Sequence, residues 1–275
     1  MTGRADKSGA GNANLATPPI SESDCGTQGK PRLHIFDTES GMARSASNLL
    51  LASLNAKPDL ALCLPTGNTP RPLYASLRQS YQQGHVRFAQ ARLFMVDEYV
   101  GAAGDADWSF SRYLDRELID HVDFAPRNIF KIDGAATDPE AEARRFEAAI
   151  DAIGGIDLAV LGLGANGHVA FNEPGTEADS STNVARLSPD TLSANRAFLP
   201  ADASPTHAIT IGLGTIRASG AILLLVNGSS KRAALSTLIG GGDSRRWPVV
   251  ALRDHPNLTV MATRSVVPAE CPAAK

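Results

Sequence analysis

Several features that would narrow a function at once are missing from this chain. Its three cysteines, Cys25, Cys63 and Cys271, are odd in number and far apart. They form neither a disulfide framework nor a metal-ligand spacing, so a reducing compartment, the cytoplasm, is expected. No apolar run is long enough to span a bilayer, and no apolar segment near the start reads as a secretory signal. There is no Lys/Arg run or basic stripe, and the formal net charge is −3. Membrane and nucleic-acid partners are therefore not expected. No Gly-Lys-Ser/Thr follows any glycine-rich loop, which argues against a nucleotide P-loop. Residues 1–30 lack aromatics and are rich in Gly, Ser, Thr, Asn, Ala and Pro. They read as a disordered tail, too short and too polar to hold a helix-turn-helix.

What is present is an ordinary globular composition, 43% hydrophobic and 20% charged over 275 residues. That length suits one α/β domain from residue 31 to 275. Short apolar runs alternate with helical patterns. Leu33–Phe36, Leu60–Leu64, Leu93–Val96, Ile156–Leu161, Ala208–Ile211, Ala221–Val226 and Leu258–Ala262 read as strands. Between them, Met42, Ala46, Leu49, Leu50 and Leu54 mark a helix that Asp37 or Thr38 can cap. Pro70 suits the first position of a helix striped by Leu73, Leu77 and Tyr81. Trp108–Ile119 and Asp138–Ile153 read as further helices. The alternation predicts an open, mostly parallel sheet with helices on both faces.

Four strand ends carry unusual residues, and in such a sheet these ends gather on one edge. Leu64-Pro65-Thr66-Gly67-Asn68-Thr69-Pro70 offers hydroxyls and free N–H groups before a helix, a physical basis for holding a phosphate; a plain polar turn is the alternative. Asp97 and Glu98 follow an apolar strand, as a candidate general base and its partner, or as caps. Gly162-Leu163-Gly164-Ala165-Asn166-Gly167 matches a dinucleotide fingerprint, but Pro174 and Gly175 stop any helix almost at once. In the same stretch His168 stands five residues before Glu173, a candidate proton-transfer pair. Lys231, after Val226-Asn227-Gly228-Ser229-Ser230, sits where a cation opposes a helix dipole and calls for an anion; Arg196 is a weaker candidate for holding that anion.

Together Leu64–Pro70, Val96-Asp97-Glu98-Tyr99-Val100-Gly101, Gly164–Pro174 and Gly228–Lys231 resemble the glucosamine-6-phosphate deaminase (isomerase) family, over roughly residues 31 to 265. The resemblance implies a Rossmann-like fold and a reaction without metal or cofactor. An amino sugar 6-phosphate is ring-opened, isomerised from aldose to ketose, and deaminated to fructose 6-phosphate and ammonia. It implies Asp97 as the base, His168 as the ring-opening shuttle, and Asn166 and Glu173 as the groups that orient it. Thr66, Gly67, Asn68, Thr69 and Lys231 would hold the phosphate, with Arg196 as a further phosphate ligand.

The chain departs from the family at three places. Many members have Asp at the position of Asn166, which supplies a hydrogen bond but no charge. The family's phosphate-binding arginine lies in an Asn-x-Arg-Phe setting, whereas here Arg196 directly follows Asn195 and Ala197 precedes Phe198. Hexameric members are activated by N-acetylglucosamine 6-phosphate through a basic pair, which aligns with Asn183 and Ala185. A chain ending soon after its last strand also predicts that the longer C-terminal segment of those members is missing. A monomer or small homo-oligomer is therefore expected. The alternatives are a galactosamine-6-phosphate deaminase, a 6-phosphogluconolactonase, and a non-catalytic sugar-phosphate sensor.

Overall fold

Apolar runs that do not alternate with polar residues need cover on both faces, which helices packed on a parallel sheet provide. The computed structural model builds that arrangement. It describes residues 31–267 apart from 197, 198 and 202. The expected disordered tail at 1–30, and residues 268–275, lie outside the described residues, and with them Cys25, Cys271 and the chain end.

In chain order the elements are β1 (Arg32–Phe36), α1 (Glu39–Ala56), β2 (Ala61–Leu64), α2 (Arg71–Gln82), β3 (Arg92–Met95), β4 (Asp97–Tyr99), α3 (Phe110–Glu117), β5 (Ile129–Phe130), α4 (Pro139–Ala152), β6 (Leu158–Gly162), β7 (Asn183–Arg186), α5 (Pro189–Asn195), β8 (His207–Thr210), α6 (Leu213–Arg217), β9 (Ala221–Val226), α7 (Arg232–Gly240) and β10 (Leu258–Thr263). Side-chain caps start the helices where the sequence offers them. Thr38 Oγ1 accepts from the N–H of Gly41 at 3.0 Å, and Asp138 Oδ1 from that of Ala141 at 2.9 Å. Pro70 sits one residue earlier than expected, at the cap of α2. The Trp108–Ile119 helix is shorter than its pattern. Ser109 caps it at one end, and Leu118 leaves helical geometry at the other.

Seven strands of the described residues pair in parallel in the order β1-β10-β9-β6-β2-β3-β5. From β2 the chain builds outward through β3 and β5. It then returns to the other side of β2 with β6 and continues through β9 and β10. The direction of winding therefore reverses between β2 and β6, and loops leaving the carboxyl ends of strands flank a crevice at such a point.

One expectation needs correction. The Ala208–Ile211 strand exists as β8 but does not join the parallel sheet. It is the centre of a separate antiparallel sheet, β4-β8-β7. Apolar character predicts a buried strand but cannot name its partner. Here the partners are short segments whose burial comes from tertiary packing. An aromatic cluster of Tyr99, Trp108, Phe110 and Phe171 fills the space beneath this second sheet.

Candidate active site

Thr66, Gly67, Asn68 and Thr69 after β2, Asp97 at the start of β4, His168 after β6 and Lys231 after β9 all line one cleft of about 330 Å³. The cleft lies at the point where the winding reverses. Asn166 and Glu173 stand behind His168.

Glycine makes room for the histidine. A Cβ on Gly164 would lie 2.3 Å from Cε1 and 2.4 Å from Nδ1 of His168, so the imidazole rests against bare backbone. Gly167, at φ 85°, closes the turn and leaves room for Trp247, whose Cε3 would be 2.8 Å from an added Cβ. Ala170 holds the left-handed conformation at φ 54° without being glycine, a strain of about 1–2 kcal/mol that the surrounding contacts must sustain.

The hydrogen bonds behind the imidazole have one consistent polarity. Asn166 Oδ1 accepts from the backbone N–H of His168 at 3.1 Å and lies 2.8 Å from its Nδ1. The backbone donor fixes which end of the amide faces the histidine, so Nδ1 must carry a proton to donate to the same oxygen. Asn166 Nδ2 in turn donates to Glu173 Oε2 at 2.8 Å, which requires an acceptor there. Neutral His168 is thereby held as the tautomer whose Nε2 lone pair is left for the cleft. Burial pushes its pKa below the usual histidine value. The nearby Glu173 carboxylate, 3.8 Å from Nδ1, opposes that shift, and Lys231 adds to it. Glu173 is anchored on its other oxygen by the hydroxyl of Thr191 and by Ser188 Oγ at 3.0 Å, both from the start of α5.

Successive residues of a strand point to opposite faces, which separates the two acids of β4. Asp97, 7% exposed, faces the cleft, and burial pushes its pKa well above the carboxylate range, with Glu98 adding to the shift. Glu98 faces away and accepts four hydrogen bonds: from the N–H groups of Tyr99, Phe110 and Ser111 at 2.9, 3.1 and 2.9 Å, and from Ser109 Oγ at 2.7 Å. It anchors the start of α3 and is not the chemical partner of Asp97 that the adjacent pair suggested. Lys231 ends the 3₁₀ turn before α7. Its ammonium makes no ion pair among the described residues, and burial lowers its pKa. An anion in the cleft would reverse that cost.

Arg196 is not brought to the cleft. Its guanidinium donates to the carbonyls of Pro200 and Ala203, both at 3.1 Å, and of Ala201 at 2.9 Å, tying down its own exposed loop. Residues that no sequence signal singled out stand in its place. Asn195 and Thr191 of α5, Trp108 and Tyr113 line the cleft, as do Arg71 and Arg116. Among the described residues no group of three or more His, Cys, Asp or Glu could hold a metal ion, and no helix is long and apolar enough to cross a membrane.

This geometry has counterparts. The profile of the glucosamine-6-phosphate isomerases/6-phosphogluconolactonase family matches residues 37–261. A glucosamine-6-phosphate deaminase of Beutenbergia cavernae is 42% identical over 212 residues, 76% of this chain and 81% of that one. One of Hahella chejuensis is 40% identical over 231 residues, 84% and 88% of the two chains. Among solved structures, a monomeric glucosamine-6-phosphate deaminase superposes with a TM-score of 0.83 at 36% identity, covering 85% of this chain and 98% of its own. A 6-phosphogluconolactonase from Trypanosoma cruzi, at 19% identity and a TM-score of 0.72 over 90% of this chain and 98% of its own, shares the fold. The cleft at the sheet reversal, the profile match and these relatives agree: the chain belongs to the family of glucosamine-6-phosphate isomerases and 6-phosphogluconolactonases.

Proposed function

We propose that this protein is an enzyme that converts glucosamine 6-phosphate and water to fructose 6-phosphate and ammonia, in the cytoplasm, without metal or cofactor. The observation that carries the reading is the pairing in one cleft of the buried Asp97 with a neutral His168 whose Nε2 is left free. The phosphate sits on the N–H groups and hydroxyls of Thr66–Thr69 at the start of α2, facing Lys231. His168 Nε2 takes the proton from the anomeric hydroxyl and returns it to the ring oxygen as the C1–O5 bond breaks. Asp97 then removes the C2 proton of the open aldehyde. The substrate's ammonium passes a proton to O1, and the resulting enolamine takes the C2 proton back from Asp97 at C1 and becomes a C2 iminium. Water adds to the iminium carbon, and ammonia leaves as the ketone forms. A carboxylate raised by burial is a stronger base than an exposed one, and the substrate's amino group supplies the neighbouring cation that favours its ionised form. Asn166 polarises His168 through hydrogen bonds alone, so the charge of Glu173 reaches the imidazole at one remove. The names of the 42% and 40% identical relatives support the substrate, and that of the 36% identical structure supports a monomer.

The test measures ammonia and fructose 6-phosphate from glucosamine 6-phosphate and galactosamine 6-phosphate, with and without EDTA, beside hydrolysis of 6-phosphogluconolactone. Ammonia release from the gluco substrate, unaffected by EDTA, is expected. Lactone hydrolysis with no ammonia from either sugar would assign the cleft to the lactonase chemistry, and no turnover of any of the three would leave the sensor reading.

A further inference from the structure

Three guanidiniums surround a single carboxylate beside the phosphate loop. The Glu117 carboxylate lies 3.4 Å from Arg71 Nε, 3.7 Å from Arg78 Nη1 and 3.5 Å from Arg116 Nε. One acid cannot neutralise three bases. The other acids of that region are already matched, Asp115 with Lys131 at 2.5 Å and Asp120 with Arg112 at 3.9 Å. Asp107 shares the rim of the cleft but makes no ion pair with the cluster among the described residues. Arg78 is turned to the carbonyl of Glu117 and does not line the cleft, whereas Arg71 and Arg116 do.

Both of these arginines rest on one aromatic ring. Their guanidinium carbons lie 5.8 and 5.9 Å from the centroid of Tyr113. The Tyr113 hydroxyl donates to the carbonyl of Gly67 at 2.5 Å, which fixes that ring to the phosphate loop. Arg71 is also the first residue of α2, whose first turn has no acid. A cation there works against the helix dipole, and a bound anion would offset that cost.

We infer that Arg71 and Arg116 form the outer half of an anion site whose inner half is Lys231 and the 66–69 loop, and that they bind a phosphate monoester dianion. The inference rests on the deaminase reading for the identity of the substrate. It gives the phosphate the guanidinium contacts that Arg196, bound to its own loop, does not supply. Both arginines are about half exposed, so each contributes modestly and in a salt-dependent way.

The experiment compares the native chain with Arg71→Ala, Arg116→Ala, the double variant, and Arg112→Ala, which removes the same charge from α3 outside the cleft. KM for glucosamine 6-phosphate and the inhibition constant of inorganic phosphate should each rise about 3- to 10-fold in the single variants. The rise should be larger in the double variant, with kcat changed by less than about twofold. Added NaCl should weaken phosphate inhibition more in the native chain than in the double variant, and Arg112→Ala should match the native chain. Unchanged constants in the double variant, with the native enzyme active, would overturn the inference and leave the deaminase reading standing. If the native chain releases no ammonia, the deaminase reading falls, and calorimetry with inorganic phosphate still decides: equal affinity of the native and double-variant chains overturns the site. Should an alanine variant fail to fold, Arg71→Gln and Arg116→Gln carry the same test.

Discussion

Replacing Gly164 by alanine should disable the imidazole while leaving the fold nearly intact. The backbone at Gly164 is not in the left-handed region, so alanine is conformationally permitted there. The added methyl would stand 2.3 Å from Cε1, 2.4 Å from Nδ1 and 2.5 Å from Cγ of His168, where ordinary contact begins at 3.4 Å. The ring must therefore retreat by about 1 Å, a displacement of the size that costs up to about 10²-fold in rate when a catalytic group is misplaced. The 2.8 Å bond from Nδ1 to Asn166 would be stretched beyond hydrogen-bonding range, releasing the tautomer as well as the position. A fall in kcat of about 30- to 300-fold is expected, with KM changed far less because the phosphate loop is untouched. Stopped assays of ammonia from glucosamine 6-phosphate would measure the rate, and thermal unfolding would show whether the fold survives. A variant that keeps kcat within threefold of the native value would refute the placement of His168 in the chemistry.

Asp97→Asn should lower kcat by about 10²- to 10⁴-fold while a phosphorylated sugar analogue still binds. The same variant should melt higher than the native chain at pH 7. The folded pKa of Asp97 is raised, so its contribution to stability falls as pH rises above the ordinary carboxylate value. The gain should therefore vanish as pH drops below about 3.9, where the side chain is protonated in both states, and a gain that persists there would refute the assignment. Lys231→Ala should weaken an inhibitory sugar-phosphate analogue by about 1.5–3 kcal/mol, and an unchanged inhibition constant would make Lys231 a bystander. The family resemblance aligns an effector-binding basic pair with Asn183 and Ala185, which lie in β7 and carry no charge, so N-acetylglucosamine 6-phosphate should leave hyperbolic kinetics unaltered. Sigmoidal rates that this compound makes hyperbolic, from a hexamer by light scattering, would contradict that.

The parallel sheet was legible in the sequence because strands covered on both faces read as unbroken apolar runs. Leu62, Leu64, Val160 and Leu223 are all fully buried, as their neighbours in sequence implied. The second sheet was legible only in part. β4 is Asp-Glu-Tyr and β7 is Asn-Val-Ala-Arg, polar segments whose pairing with β8 comes from three-dimensional packing and leaves no periodicity to read. The cleft loops stood out because glycines, hydroxyls and charges interrupt an apolar pattern. Thr191 did not, since Ser188-Pro189-Asp190-Thr191 reads as an ordinary helix cap, and Ser188 does cap α5. Its contact with Glu173 joins positions 18 apart in sequence that show no shared pattern. Arg71, Tyr113 and Arg116 were equally silent, because on a helix they look like a solvated face.

The base and the proton shuttle ride on different frames. Asp97 belongs to the small antiparallel sheet and His168 to a loop of the large parallel one. The two frames are pinned together by Thr210, which is paired with Asp97 across β4 and β8 and whose hydroxyl accepts from the N–H of Phe171 at 3.1 Å. The spacing between carboxylate and imidazole thus depends on how the small sheet docks on the large one, at a joint directly beside Asp97. Substitutions along β8 that shift this joint should therefore lower kcat more than they raise KM, because the Thr66–Thr69 loop belongs to the large sheet.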